Sequence, residues 1–198
     1  MNQPRANRGI RQGTQRTVAP VPDTACLHNK SYAITAEVLV PESGAEGVIV
    51  AMGGITGGWS LYCKAGKLKH CYNFFGLNRY YSESERAIPS GKHQVRMEFA
   101  YDGGGPAEGG DVSLFIDGQE VGGGRVDRTE PALFSADETC HIGRGNGSPV
   151  TDDYGQREFS GEVNWVELDL GKNAPFAERY LMPVKRLRIT MGTRFSAR

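Results

Sequence analysis

Ser31–Val40 reads SYAITAEVLV. Its alternation puts Tyr32, Ile34, Ala36, Val38 and Val40 on one face. A repeat of two over this length is the signature of a β-strand with one face turned to a core. The same signal recurs on both sides of it. Gly47–Met52 (GVIVAM) is a short apolar strand. Gly58–Lys64 (GWSLYCK) and Lys67–Phe75 (KLKHCYNFF) flank Ala65-Gly66 and read as a hairpin. Lys92–Tyr101 alternates through Val95, Met97, Phe99 and Tyr101. Asp111–Asp117 alternates again, and Gly118-Gln119 turns it back into Glu120–Val126. Thr139–Gly143 and Phe159–Leu170 complete the series.

No segment before residue 172 keeps a helical apolar period for three turns. Glycine is abundant, 27 of 198 residues, about twice the usual share of roughly 7%. Much of it clusters between strand signals, at Gly53-Gly54, Gly103–Gly105, Gly109-Gly110 and Gly122–Gly124. Short strands divided by Gly-rich turns predict an all-β sandwich or jelly roll over residues 26–171. Residues 1–25, rich in Gln, Arg, Thr and Pro, read as a disordered basic lead-in. Residues 172–198 read as an extension, with a short helical turn at Ala174–Leu181 and a strand at Val184–Met191 as its candidate elements.

The formal charge is zero, with 23 basic and 23 acidic residues. It is unevenly spread: +4 over residues 1–22, +6 over 172–198 and −10 between them. An acidic central domain repels phosphate, so nucleic acid is not the expected partner. No apolar run is long enough to span a bilayer, and no membrane partner is expected. No apolar stretch follows the N-terminal arginines, so no secretory leader is read there.

Several consecutive blocks resemble the C-terminal domain of bacterial-type arylsulfatases. They include Asn29-Lys30-Ser31-Tyr32, Gly44–Gly54, Gly57–Tyr62, Cys71–Leu77, Gly91-Lys92-His93, Glu98-Phe99 with Tyr101–Gly105, and Phe159–Val163. Thr139, Gly143-Arg144, Ser148–Val150 and Asp153-Tyr154 extend the resemblance, which spans roughly residues 28–170. It implies a concanavalin A-like, lectin-like β-sandwich appended to a sulfatase domain. It also implies what this chain lacks. The family's formylglycine motif, Cys or Ser-x-Pro-x-Arg, is absent; Cys140–Arg144 has the Cys and Arg but carries Ile142 in place of Pro. The catalytic centre of the family is not within these 198 residues.

The cysteines, Cys26, Cys63, Cys71 and Cys140, contain no Cys-x-x-Cys pair. If Ala65-Gly66 is a two-residue turn, Cys63 faces Leu68 and Cys71 faces Ser60, so the two thiols lie on opposite faces and form no disulfide. Reduced thiols favour a cytoplasmic compartment. No catalytic residue is assigned. The aromatic cluster Trp59–Tyr81 supplies the candidate binding surface: Tyr62, Tyr72, Asn73, Arg79 and Tyr80, facing a sugar ring or a partner domain. Arg79, Arg96, Arg125, Arg128 and Arg144 are candidate sulfate contacts. Asn146, Asp152 and Asp153 form a candidate calcium loop, with Asp102, Glu108 and Asp111 a weaker one; no other cofactor is expected.

Three functions remain open on these residues. The first is a non-catalytic accessory domain that docks on a sulfatase domain or polypeptide. The second is a lectin-like carbohydrate-binding module. The third is a glycoside hydrolase of the same sandwich class, for which Glu162, Glu167 and Asp169 lack the expected carboxylate spacing.

Overall fold

The computed structural model describes residues 27–132, 134, 140–145, 147–170 and 189–190. The lead-in, Cys26, Asn146 and the turn expected at 174–181 lie outside these residues.

The elements are β1 (Tyr32–Val40), β2 (Gly47–Gly54), β3 (Gly57–Lys64), β4 (Lys67–Phe74), β5 (Asn78–Ala87), β6 (Gly91–Tyr101), β7 (Gly110–Ile116), β8 (Gln119–Val126), β9 (Cys140–Ile142), β10 (Glu162–Leu170) and β11 (Ile189–Thr190). No helix occurs among the described residues. Every strand pairing is antiparallel, in the order β11-β10-β1-β6-β7-β8-β5-β4-β3-β2-β9. The β5–β8 seam is narrow, holding only Glu83↔Gly123 and Ser84↔Gly122. The sheet folds over at this seam into a back layer ending at β8 and a front layer beginning at β5.

Side-chain alternation explains how the layers close. Tyr32, Ile34, Ala36, Val38 and Val40 of β1 all enter the main core, as the sequence predicts. From β6 and β7 come Val95, Met97, Phe99, Val112, Leu114 and Ile116; the front layer returns Ile49, Trp59, Leu61, Leu68 and Tyr72. Tyr32 and Trp59 meet across the two layers, ring centres 6.5 Å apart. The fold is the expected all-β antiparallel sandwich.

The β3–β4 hairpin keeps the predicted register, with Cys63↔Leu68 and Ser60↔Cys71. Ala65 and Gly66 both have positive φ (50° and 75°), the primed turn that fits strand twist. The described cysteines, Cys63, Cys71 and Cys140, are free thiols.

Two readings need correction. Residues 78–87 carry no sustained apolar alternation, yet they form β5, because beyond Tyr80 its inward residues are Ser82 and Ser84 rather than aliphatics. Gly122–Gly124 is not a turn but the middle of β8. A Cβ on Gly122 would lie 2.3 Å from the Glu83 carbonyl oxygen, and one on Gly124 would lie 2.5 Å from Ser82 Oγ. The glycines let β8 approach β5 closely enough to make the seam.

Candidate functional site

The outward residues of the front layer form three cross-strand rows. Tyr62, Lys69 and Glu83 stand side by side, as do Ser60, Cys71 and Tyr81, and then Gly58, Asn73 and Arg79. The chain after Gly143 passes over part of this face. Val150 and Tyr154 pack on Val48, Ala51, Tyr62 and Cys71 as a small second core. Tyr62 and Tyr154 meet edge to face at 5.0 Å.

Beside this second core lies a charged network. The Asp153 carboxylate takes Lys64 Nζ at 2.6 Å on Oδ1, and Lys69 Nζ at 2.7 Å and the Tyr62 hydroxyl at 2.6 Å on Oδ2. Glu83 takes Lys67 at 2.7 Å and Lys69 at 3.3 Å. Burial works to raise the Asp153 pKa, but the hydrogen bonds from Lys64, Lys69 and Tyr62 outweigh it and hold the carboxyl at about 2. The network is therefore ionised at neutral pH, and it fixes the last turn of the loop to the sheet.

Next to it stands Tyr81, with 45% of its surface exposed. Its hydroxyl is within 2.8 Å of Thr151 Oγ1, which also accepts the Asp153 N–H. Lys69 Nζ lies 6.0 Å from the Tyr81 ring centre, in cation–π range. The ring is thus held at its tip, braced by a cation and open to solvent. One row along, Arg79 Nε donates to the Val150 carbonyl at 3.1 Å. The Arg79 terminal nitrogens have no hydrogen-bond partner among the described residues. Among the described residues, the arrangement offers a flat apolar ring beside a guanidinium fork.

The face is poorly equipped for covalent or acid–base chemistry. Burial pushes the Cys71 and Cys140 thiols up to about 12, so neither is a thiolate at neutral pH. The carboxyls of Glu83 and Asp153 are both held below their ordinary values, whereas a hydrolytic pair needs one raised acid. Asp169 of the proposed hydrolase strand instead receives Arg96 Nη1 at 3.2 Å.

The sequence-derived sites fare unequally. Arg79 lies on the exposed row. Tyr62, Tyr72 and Asn73 do not form a stacking surface, and here the reading is corrected: all three are buried. Tyr62 lies under Tyr154, and Tyr72 points into the sandwich, where its hydroxyl accepts the Glu130 N–H at 2.9 Å. Asn73 spends its amide on Gly54 O, Ile55 O and Gly76 N–H. Tyr80, on the inner side of β5, packs half-buried against the core. The aromatic that presents itself on this face of the strands is Tyr81, two residues from Arg79. Reading 78–87 as a strand would have found it, since 79, 81 and 83 then share a face.

The candidate calcium loop is not assembled among the described residues. Asp153 has both oxygens engaged by lysines, so a cation there would face two ammonium groups. Asp152 is exposed and Asn146 lies outside the described residues. Asp102 and Asp111 of the weaker cluster are taken by Arg125. Among the described residues no three His, Cys, Asp or Glu side chains group as metal ligands. Of the arginines proposed for sulfate, Arg125 is occupied in this way. Arg96 is buried, donating to Glu98 at 2.9 Å and to Thr35 Oγ1 at 2.7 Å.

No protein-family model matches the chain, and no curated protein matches it in sequence. Its shape is shared with solved structures. Domains LG4-5 of the mouse laminin alpha1 chain align with TM-score 0.56 and 14% identity, over 78% of this chain and 40% of that one. The LG1-3 region of the laminin alpha2 chain aligns at 0.50 and 13% identity, over 71% of this chain and 27% of that one. The CBM40 of Ruminococcus gnavus IT-sialidase aligns at 0.50 and 13% identity, over 72% of this chain and 77% of that one. The chain therefore spans less than half of the laminin structures and about three quarters of the CBM40. At these identities the likeness establishes the β-sandwich fold and nothing finer.

Proposed function

We propose that this protein is a non-catalytic, lectin-like carbohydrate-binding module whose sugar site is the Tyr81 row of the front sheet. The observation that carries this reading is the Tyr81 ring itself: exposed, fixed through Thr151, braced by Lys69, and next to Arg79 terminal donors that have no partner among the described residues. A sugar ring needs an apolar platform for its C–H face and fixed donors for its hydroxyls, and this row supplies both. The sandwich shared with a sialidase CBM40 is compatible with such a role.

The test is a glycan-array screen of the full chain, followed by titration calorimetry on the ligand found. Tyr81→Ala is expected to weaken binding by about tenfold or more, equivalent to about 1.4 kcal/mol. Arg79→Ala should weaken it by a smaller factor. Ligand binding unaffected by both substitutions would reject this site.

A second reading has support of another kind. The blocks that resemble arylsulfatase C-terminal domains, Gly44–Gly54, Gly57–Tyr62 and Cys71–Leu77, fall on β2, most of β3, the second half of β4 and the turn after it. On this reading the sandwich is an accessory domain of an arylsulfatase-like protein, docking on its sulfatase part. Co-purification with a sulfatase polypeptide, with no glycan bound on the array, would favour it over the module.

A further inference from the structure

We infer that the paired turns at one end of the front sheet form a rigid apolar tip that inserts into the surface of an uncharged lipid bilayer. The turn after β2 carries Ile55, and the turn after β4 carries Phe75 and Leu77; their exposures are 51%, 47% and 78%. The turns touch. Asn73 Nδ2 donates to Gly54 O at 2.9 Å and Ile55 O at 3.0 Å, while its Oδ1 accepts the Gly76 N–H at 2.9 Å. A Cβ on Gly76 would sit 2.8 Å from Ile55 O, so glycine is what lets the turns close on one another.

What marks the tip as more than a chance of exposure is its chemistry. Residues 53–59 (GGITGGW) and 72–78 (YNFFGLN) contain no charged side chain. Part of the backbone at the tip is bonded from within. Ile55 N–H goes to Ser148 Oγ at 3.0 Å, Phe75 N–H to Glu130 Oε1 at 2.8 Å and Leu77 N–H to Phe74 O at 2.9 Å. Unpaired backbone groups are the main obstacle to entering a low-dielectric medium, and these bonds together with those of Asn73 lower it.

The same features choose between occupants. A stable protein interface buries about 800 Å² per partner and makes about one hydrogen bond per 100–200 Å². Three side chains on two turns offer at most a few hundred Å², and several of the backbone donors and acceptors at their apex are spent internally. That is too little area for a second copy of this chain, and too few polar groups for a specific protein partner. A bilayer surface asks for neither. The two turns carry no cation and Arg79 stands one residue beyond Asn78, so the attraction is chiefly apolar and falls little with salt or with the loss of anionic lipid. The sequence expectation of no membrane partner rests on the lack of a spanning run, and no helix of the described residues is long and apolar enough to cross a membrane; a tip that inserts only into the surface needs no such span.

The experiment is co-sedimentation of the full chain with phosphatidylcholine vesicles at about 0.1 M and 1 M salt, spanning the screened and strongly screened regimes. The bound fraction should rise with lipid and change little between the two salts. Leu77→Ser with Phe75→Asn should lower the partition coefficient by about tenfold, since two of three apolar anchors are lost. Asn suits the positive φ of 51° at position 75. Leu77→Ser alone, at the most exposed position, guards against a folding defect, which circular dichroism would reveal. Wild-type protein that stays in the supernatant, variants that bind equally, or binding only to phosphatidylserine vesicles and lost in salt would each overturn the inference. Glycan binding through Tyr81 is read separately, so either proposal fails without the other.

Discussion

Two buried ionisable residues set how this molecule responds to pH. Glu130 is fully buried, with Oε1 on the Phe75 N–H and Oε2 without a hydrogen-bond partner among the described residues. Burial raises its carboxyl to about 7 against an ordinary 4.5, although the Phe75 bond works the other way. A raised carboxyl costs nothing below the unfolded pKa and costs progressively more as pH rises through the folded one. Glu130→Gln should therefore gain about 2–3 kcal/mol of stability between pH 5 and pH 8 relative to wild type, as read by urea unfolding at both pH values. His70 acts in the opposite direction. It is fully buried in β4 opposite Leu61 and Ser82, with neither ring nitrogen bonded among the described residues. Burial lowers it to about 3 from 6.5. Its neutral form is compatible with folding above pH 6.5, and stability is lost as pH falls from there toward 3. His70→Leu should flatten that acid limb. A variant whose urea midpoint falls with acid as steeply as wild type would contradict the assignment. Neither residue stands out in the sequence, because a lone His or Glu shows its solvation only once its neighbours are placed.

At the level of elements, the decisive feature is the seam where β5 meets β8. Gly122 leaves no room for a side chain against the Glu83 carbonyl, 2.3 Å from a built Cβ, whereas Gly147 has open space around it. Gly122→Val should destabilise by about 2 kcal/mol or more through overpacking, while Gly147→Ala should be near neutral, both measured by thermal unfolding. Equal effects would mean that the seam does not depend on close approach. The strands legible in the sequence were those with aliphatic or aromatic inward residues, such as β1, β6 and β7. The β3–β4 register was legible as well, because a two-residue turn leaves no freedom once placed. β5 was hidden because Ser82 and Ser84 face inward, where alternation of hydrophobicity has nothing to show. With that strand went Tyr81, while Tyr62 and Tyr72 were overrated because composition does not say which face of a strand is covered.

Across the whole molecule, a strongly acidic sandwich carries its candidate ligand face on a patch where Lys64, Lys67, Lys69 and Arg79 stand beside Glu83, Asp152 and Asp153. Cations gather there although the sandwich as a whole is acidic, and only the folded chain brings them together. The same scale governs catalysis. The Cys140–Arg144 segment has a protonated thiol and Ile142 where the sulfatase motif has Pro. Purified chain should give no turnover of p-nitrophenyl sulfate, and Cys140→Ala should leave that result unchanged. The most direct test of the central claim is a backbone-amide NMR titration with the glycan selected on the array. The account predicts shifts confined to residues 69–71, 79–83 and 150–153. Shifts centred elsewhere, with the Tyr81 row silent, would contradict it.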